Sequence, residues 1–148
     1  MNSFSWIDEY VIGAIDLCFS NNVYEIYKFL NINIMKLDKE DTLLCGYEAV
    51  YIRNYFGIEV VFIRDDLPYQ YEKFILAHEL GHALLHTEIT KAAYNKNLIN
   101  NGKLEKQADY FAMKLLDITI DEACCGDYTY SQLASELYVA EEILKYSR

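Results

Sequence analysis

The sequence predicts an α+β domain. Three observations carry this: apolar residues recur at helical spacing near the start, alternate at period two in the middle, and return to helical spacing in the second half. A chain of 148 residues, 53% hydrophobic and with one proline, suits a single compact domain over residues 1–148 with a core of its own.

From about Trp6 to Leu30, Ile7, Tyr10, Val11, Ala14, Ile15 and Cys18, then Val23, Ile26, Tyr27 and Leu30, fall three and four residues apart, a helical start. "NINIMKL", Asn31 to Leu37, alternates as a short strand. Two β-branched and aromatic runs follow, Ala49 to Arg53 and Ile58 to Arg64, joined by a short link ending in Gly57, which predicts a hairpin. Glu72 to His86 lacks proline and repeats Leu76, Leu80, Ala83 and Leu84 on one helical face. Thr87 to Lys103 is an Asn-rich connection with a turn signal at Asn101-Gly102. "KLEKQADYFAMKLL" then forms a helix with Ala108, Phe111, Ala112 and Leu115 as its buried stripe. The tail from Tyr130 to Tyr146 is expected to form two short helices around Val139.

Composition narrows the function. Thirteen Lys and Arg against 23 Asp and Glu give a formal net charge of −10, with no basic run to follow a phosphate backbone, so direct nucleic-acid binding is not expected. The first segment has no Lys or Arg before Lys28, and Asp8, Glu9 and Asp16 interrupt its apolar residues. It is neither a signal peptide nor a membrane span, and a cytoplasmic protein is expected. Cys18, Cys45, Cys124 and Cys125 show no C-x-x-C spacing and are expected as reduced thiols, mostly packed as small hydrophobes.

The chemistry concentrates in "FILAHELGHALLH", Phe74 to His86, which holds all three histidines of the chain. At 3.6 residues per turn, His78 and His82 stand on one face, where both imidazoles can meet one ion, and Glu79 sits one position round, beside the ion and in reach of a water there. That is the placement of a general base in metal-assisted hydrolysis. A catalytic site needs a third protein ligand. His86 stands about 12 Å further along the axis from His78, too far to share the ion while the helix continues, and is expected to cap the helix or bond a neighbouring carboxylate. The "EKQAD" helix offers Glu105 and Asp109, four apart on one face. Glu105 can bind the metal while Asp109 accepts the ring N–H of a liganding histidine.

These blocks, "KFILAHELGHALLH" and "EKQADYFAMKLL", resemble the ImmA/IrrE family of metallopeptidases, and the likeness runs from about Cys45 onward. The resemblance implies a zincin-like fold, with a small antiparallel or mixed sheet packed against the H-E-x-x-H helix and a helical C-terminal part. It also implies Zn2+ held by His78, His82 and Glu105, and Glu79 as the base. Two positions depart from the family pattern: Gln107 stands where a second glutamate is usual, which removes a rival ligand, and Asp117-Ile118 replaces the usual Met-Pro. The implied partner is a protein, a helix-turn-helix repressor that silences a mobile element or stress genes, inactivated by peptide-bond hydrolysis. The alternative is a non-proteolytic anti-repressor that binds its partner and keeps the metal as structure. Ile58 to Arg64 is expected to take the substrate as an added strand. Tyr69, Tyr71, Tyr94 and Tyr110 stay unranked as donors to an oxyanion.

Overall fold

A computed structural model describes residues 4–95 and 102–117. The helical start is two helices, α1 (Ile7–Cys18) and α2 (Val23–Phe29). Phe19 turns left-handed at φ 55° and donates its N–H to Ile15 O, ending α1, and the Asn22 side chain accepts from the N–H groups of Tyr24 and Glu25, starting α2. The apolar period continues across the break because both helices face one core. Strand β1 (Ile32–Leu37) follows, then a single 3-10 turn at Thr42–Leu44 with Asp41 as its cap.

β2 (Ala49–Tyr55) and β3 (Ile58–Arg64) form the expected hairpin. Both central turn residues, Phe56 at φ 51° and Gly57 at φ 90°, have the positive φ of a type I′ turn, which matches the strand twist. β4 (Lys91–Tyr94) pairs with β2, so the sheet order is β1-β3-β2-β4, with β1 and β3 parallel and the other pairs antiparallel. Two expectations change here. The Thr87–Lys103 connection contains a strand, and β3 lies between β1 and β2, with both edges paired and no room for a substrate strand.

Helix α3 (Tyr69–Leu85) begins directly after Pro68, three residues ahead of Glu72, and α4 (Lys103–Leu115) follows β4. One apolar cluster joins Tyr51, Val61 and Ile63 of the sheet to Phe74, Ile75, Leu76 and Leu80 of α3 and to Phe111 and Ala112 of α4. Leu44, Val60 and Phe62 form a smaller cluster. α3 is therefore buried on most of its circumference, from Tyr71 to Ala83 apart from Lys73.

Cys18 is half-buried and Cys45 is exposed, so Cys45 does not pack as a small hydrophobe. The predicted tail helices, Asn101, Cys124 and Cys125 lie outside the described residues. No helix among those residues is long and apolar enough to cross a membrane.

Candidate metal centre

Gly81 explains how two helices come close enough to build one site. A Cβ placed on it would lie 3.1 Å from Ala108 Cα and 3.3 Å from Ala108 O, so glycine is the residue that lets α4 rest against α3 at this depth. The contact brings the polar face of α4 over the first histidine turn of α3. Glu105 Oε1 stands 3.2 Å from His78 Nε2, and Glu105 Oε2 stands 2.9 Å from His82 Nε2. Ligand atoms from His78, His82 and Glu105 all lie within 4.8 Å of one another.

Asp109, one turn beyond Glu105, accepts from His78 Nδ1 at 2.7 Å. This points the Nε2 of His78 at Glu105, the nitrogen left for a metal once its own proton is lost. His86 is the C-cap residue of α3, its backbone N–H donating to His82 O, and its side-chain partners are not carboxylates: its Nδ1 lies 2.9 Å from His82 Nδ1 and its Nε2 lies 2.8 Å from Gln107 Oε1. Gln107, read from sequence only as a ligand removed, is buried against that imidazole.

Among the described residues, three buried side-chain polar atoms have no hydrogen-bond partner: both carboxylate oxygens of Glu79 and Nε2 of His82. For His82 the short contact to Glu105 does not amount to a hydrogen bond, because distance without direction does not make one. Buried polar atoms are otherwise almost always paired, so the unmet atoms of His82 and Glu79 beside Glu105 fit a cation. Two imidazoles and one carboxylate are the donor set of a catalytic zinc site.

Without a metal, the same packing shifts the protons of the site. Burial raises the Glu79 carboxyl to about 8, further helped by Glu105 and Asp109 and opposed by His78. Burial pulls His78 down, but the charge and hydrogen bond of Asp109 and the hydrogen bond of Glu105 outweigh it and hold the imidazole at about 10. Glu105 is pushed up by burial and drawn down further by both histidines, well below the ordinary carboxylate range. His82 is lowered, chiefly by burial, despite Glu105.

Among the four unranked tyrosines, Tyr94 is the one against the site, its ring centroid 4.8 Å from that of His78. Tyr71 bonds Glu48, Tyr110 bonds Asp8, and Tyr69 is exposed and stacked on Tyr24. Tyr94 sits on β4, the strand that sequence reasoning missed, so the period of the chain held no signal for it.

The peptidase M78 family, described as the IrrE N-terminal-like domain, matches residues 28–146. The chain is 33% identical over 107 residues to Metallopeptidase ImmA of Bacillus subtilis, covering 70% of this chain and 60% of that protein. It is 30% identical over 118 residues to the Uncharacterized immunity region protein 2 of Bacillus phage phi105, covering 78% of this chain and 72% of that one. The alignment thus spans less than two thirds of the ImmA relative's length. No solved structure matches the chain. With its H-E-x-x-H helix and its acidic second helix both inside the matched span, the chain belongs to the metallopeptidase family of the IrrE N-terminal-like domain.

Proposed function

We propose that this chain is a zinc-dependent endopeptidase that hydrolyses a peptide bond in a helix-turn-helix repressor, and thereby releases genes of a mobile element or a stress response. The observation that carries the reading is the meeting of His78, His82 and Glu105 beside a buried, unpartnered Glu79. The repressor rests on family likeness and on the immunity-region name of the phage relative.

His78, His82 and Glu105 would hold the ion. Bound there, zinc supplies Lewis-acid polarisation of the scissile carbonyl and makes a water acidic enough to attack near neutral pH. Glu79 receives the proton of the attacking water and returns it to the leaving nitrogen. Glu79 is fully buried and neither of its carboxylate oxygens has a hydrogen-bond partner, so both are free for that proton. Asp109 keeps His78 in its ligating tautomer.

The substrate strand belongs at β4 rather than β3. Among the described residues β4 pairs only with β2, and its Tyr94 lies against His78, so a peptide added to this edge runs past the ligands.

The test is incubation of zinc-loaded wild type and Glu79→Gln with helix-turn-helix repressors of the same genome, with fragments read by mass spectrometry. Cleavage by wild type alone supports the reading. A repressor that co-elutes with both proteins and stays intact replaces peptidase activity with sequestration, and a repressor neither bound nor cut removes it as the substrate.

A further inference from the structure

The two histidines of the centre are held from behind by different groups. His78 Nδ1 lies 2.7 Å from Asp109 Oδ1, and an ionised carboxylate only accepts, so the proton sits on Nδ1. His82 Nδ1 meets another imidazole instead, His86 Nδ1 at 2.9 Å. A hydrogen bond between two ring nitrogens holds one proton, and the contact itself does not say which ring carries it.

The far side of His86 decides. Its Nε2 lies 2.8 Å from Gln107 Oε1, and an amide oxygen only accepts. A neutral His86 that donates from Nε2 has its lone pair on Nδ1, and His82 then donates from Nδ1. The Nε2 of His82 is left bare, 2.9 Å from Glu105 Oε2 and without a hydrogen bond.

We propose that Gln107 is a positioning residue: acting through His86, it fixes His82 in the one neutral tautomer that can bind a metal. The inference rests on His82 being a metal ligand. A donor at position 107 would reverse the relay, putting a proton on His82 Nε2 and closing the site. The relay is held in place. The His86 carbonyl accepts from Arg53 Nη2 at 3.0 Å and from Ile89 N–H at 3.1 Å, and the His86 and Gln107 side chains are buried. It is also chemically distinct from its counterpart, since Asp109 puts a negative charge behind His78, whereas Gln107 puts a neutral acceptor behind the pair His86 and His82.

The experiment records side-chain 15N shifts of the histidines in metal-free wild type, Gln107→Glu and Gln107→Met near neutral pH, together with zinc affinity by competition with a chromogenic chelator. Expected are an Nδ1–H tautomer at His82 in wild type and Gln107→Glu, with zinc bound at least as tightly by Gln107→Glu. Gln107→Met should give mixed His82 tautomers and zinc affinity lower by about 10–100-fold, with the metal-free fold intact by circular dichroism. Unchanged tautomer and affinity in Gln107→Met would overturn the proposal. Should Gln107→Met fail to fold, a wild-type His82 protonated on Nε2, or a Gln107→Glu that binds zinc more weakly, overturns it equally. Full zinc affinity in His82→Ala would instead remove the reading of the centre on which the proposal stands.

Discussion

Glu79 has no exposed surface and no hydrogen-bond partner, and nothing apolar about its neighbours explains a carboxylate there. The proposed proton shuttle accounts for it. Glu79→Gln keeps the shape and removes the base, so it should retain metal while turnover falls by about 10²–10⁴-fold, the usual worth of general acid–base catalysis. Steady-state cleavage with metal analysis on the same preparations checks it, and a fully active Glu79→Gln would end the mechanism. The pH behaviour of the metal-free protein follows from the same residues. Glu79 rises from 4.5 to about 8 on folding and His78 from 6.5 to about 10, so the folded state binds these protons more tightly than the unfolded chain. Stability from both is complete below their unfolded values. It declines as pH rises, through about 8 for Glu79 and about 10 for His78. Glu105 acts in the opposite sense: its lowered carboxyl contributes above its ordinary value and loses that contribution as the solution becomes more acidic. Thermal melts of chelator-treated protein at mildly acidic, neutral and alkaline pH should show a falling melting temperature on the alkaline side. A flat or rising profile there would contradict the pairing of His78 with Asp109 and Glu105. At this scale the sequence was legible where one helix supplies the geometry, because His78, Glu79 and His82 need only the helical period. The contacts of His86 with His82 and Gln107 were not, since Gln107 reaches His86 only when α3 and α4 pack.

Helix contact is where those separate side chains become one site, and Gly81 is its narrowest point. Alanine there gains about 1 kcal/mol of helix propensity. Its Cβ meets backbone atoms of Ala108, which cannot rotate away, and overpacking of this kind costs about 1–3 kcal/mol. Packing should win: Gly81→Ala should melt slightly lower and bind zinc more weakly as α4 is pushed off. A variant that melts higher with unchanged zinc affinity would show the approach to be unimportant. Arg53 of β2 ties the sheet to the end of α3, donating to the carbonyl oxygens of Ile89 at 2.8 Å, His86 at 3.0 Å and Ala83 at 3.4 Å. These carbonyls lie at and beyond the negative end of the helix, where a cation is favoured. Arg53→Ala should cost about 2–3 kcal/mol, measured by denaturant unfolding, and a change below about 0.5 kcal/mol would remove the tie from the account. The break at Phe19–Asn22 and strand β4 escaped the sequence for related reasons. An apolar period can run on through a change of direction when both helices face one core, and "KAAY" is too short and too evenly half-buried to alternate.

Among the described residues, the order β1-β3-β2-β4 leaves β4 as an edge strand beside the candidate metal centre and encloses β3. Edge and interior cannot be told apart from one strand's own residues, because the outermost position is set by how distant segments pair. β3 is in fact the more strand-like sequence, rich in β-branched residues, and it is buried for that reason. The α+β class, the hairpin and the two site helices were legible; the edge beside the site was not. The central claim is that His78, His82 and Glu105 hold one catalytic ion, and metal content tests it most directly. Wild type, Glu79→Gln and Glu105→Ala, purified side by side and measured by mass spectrometry, should carry one equivalent of zinc, one equivalent and much less, respectively. Equal zinc in all three would take Glu105 out of the site and contradict the account.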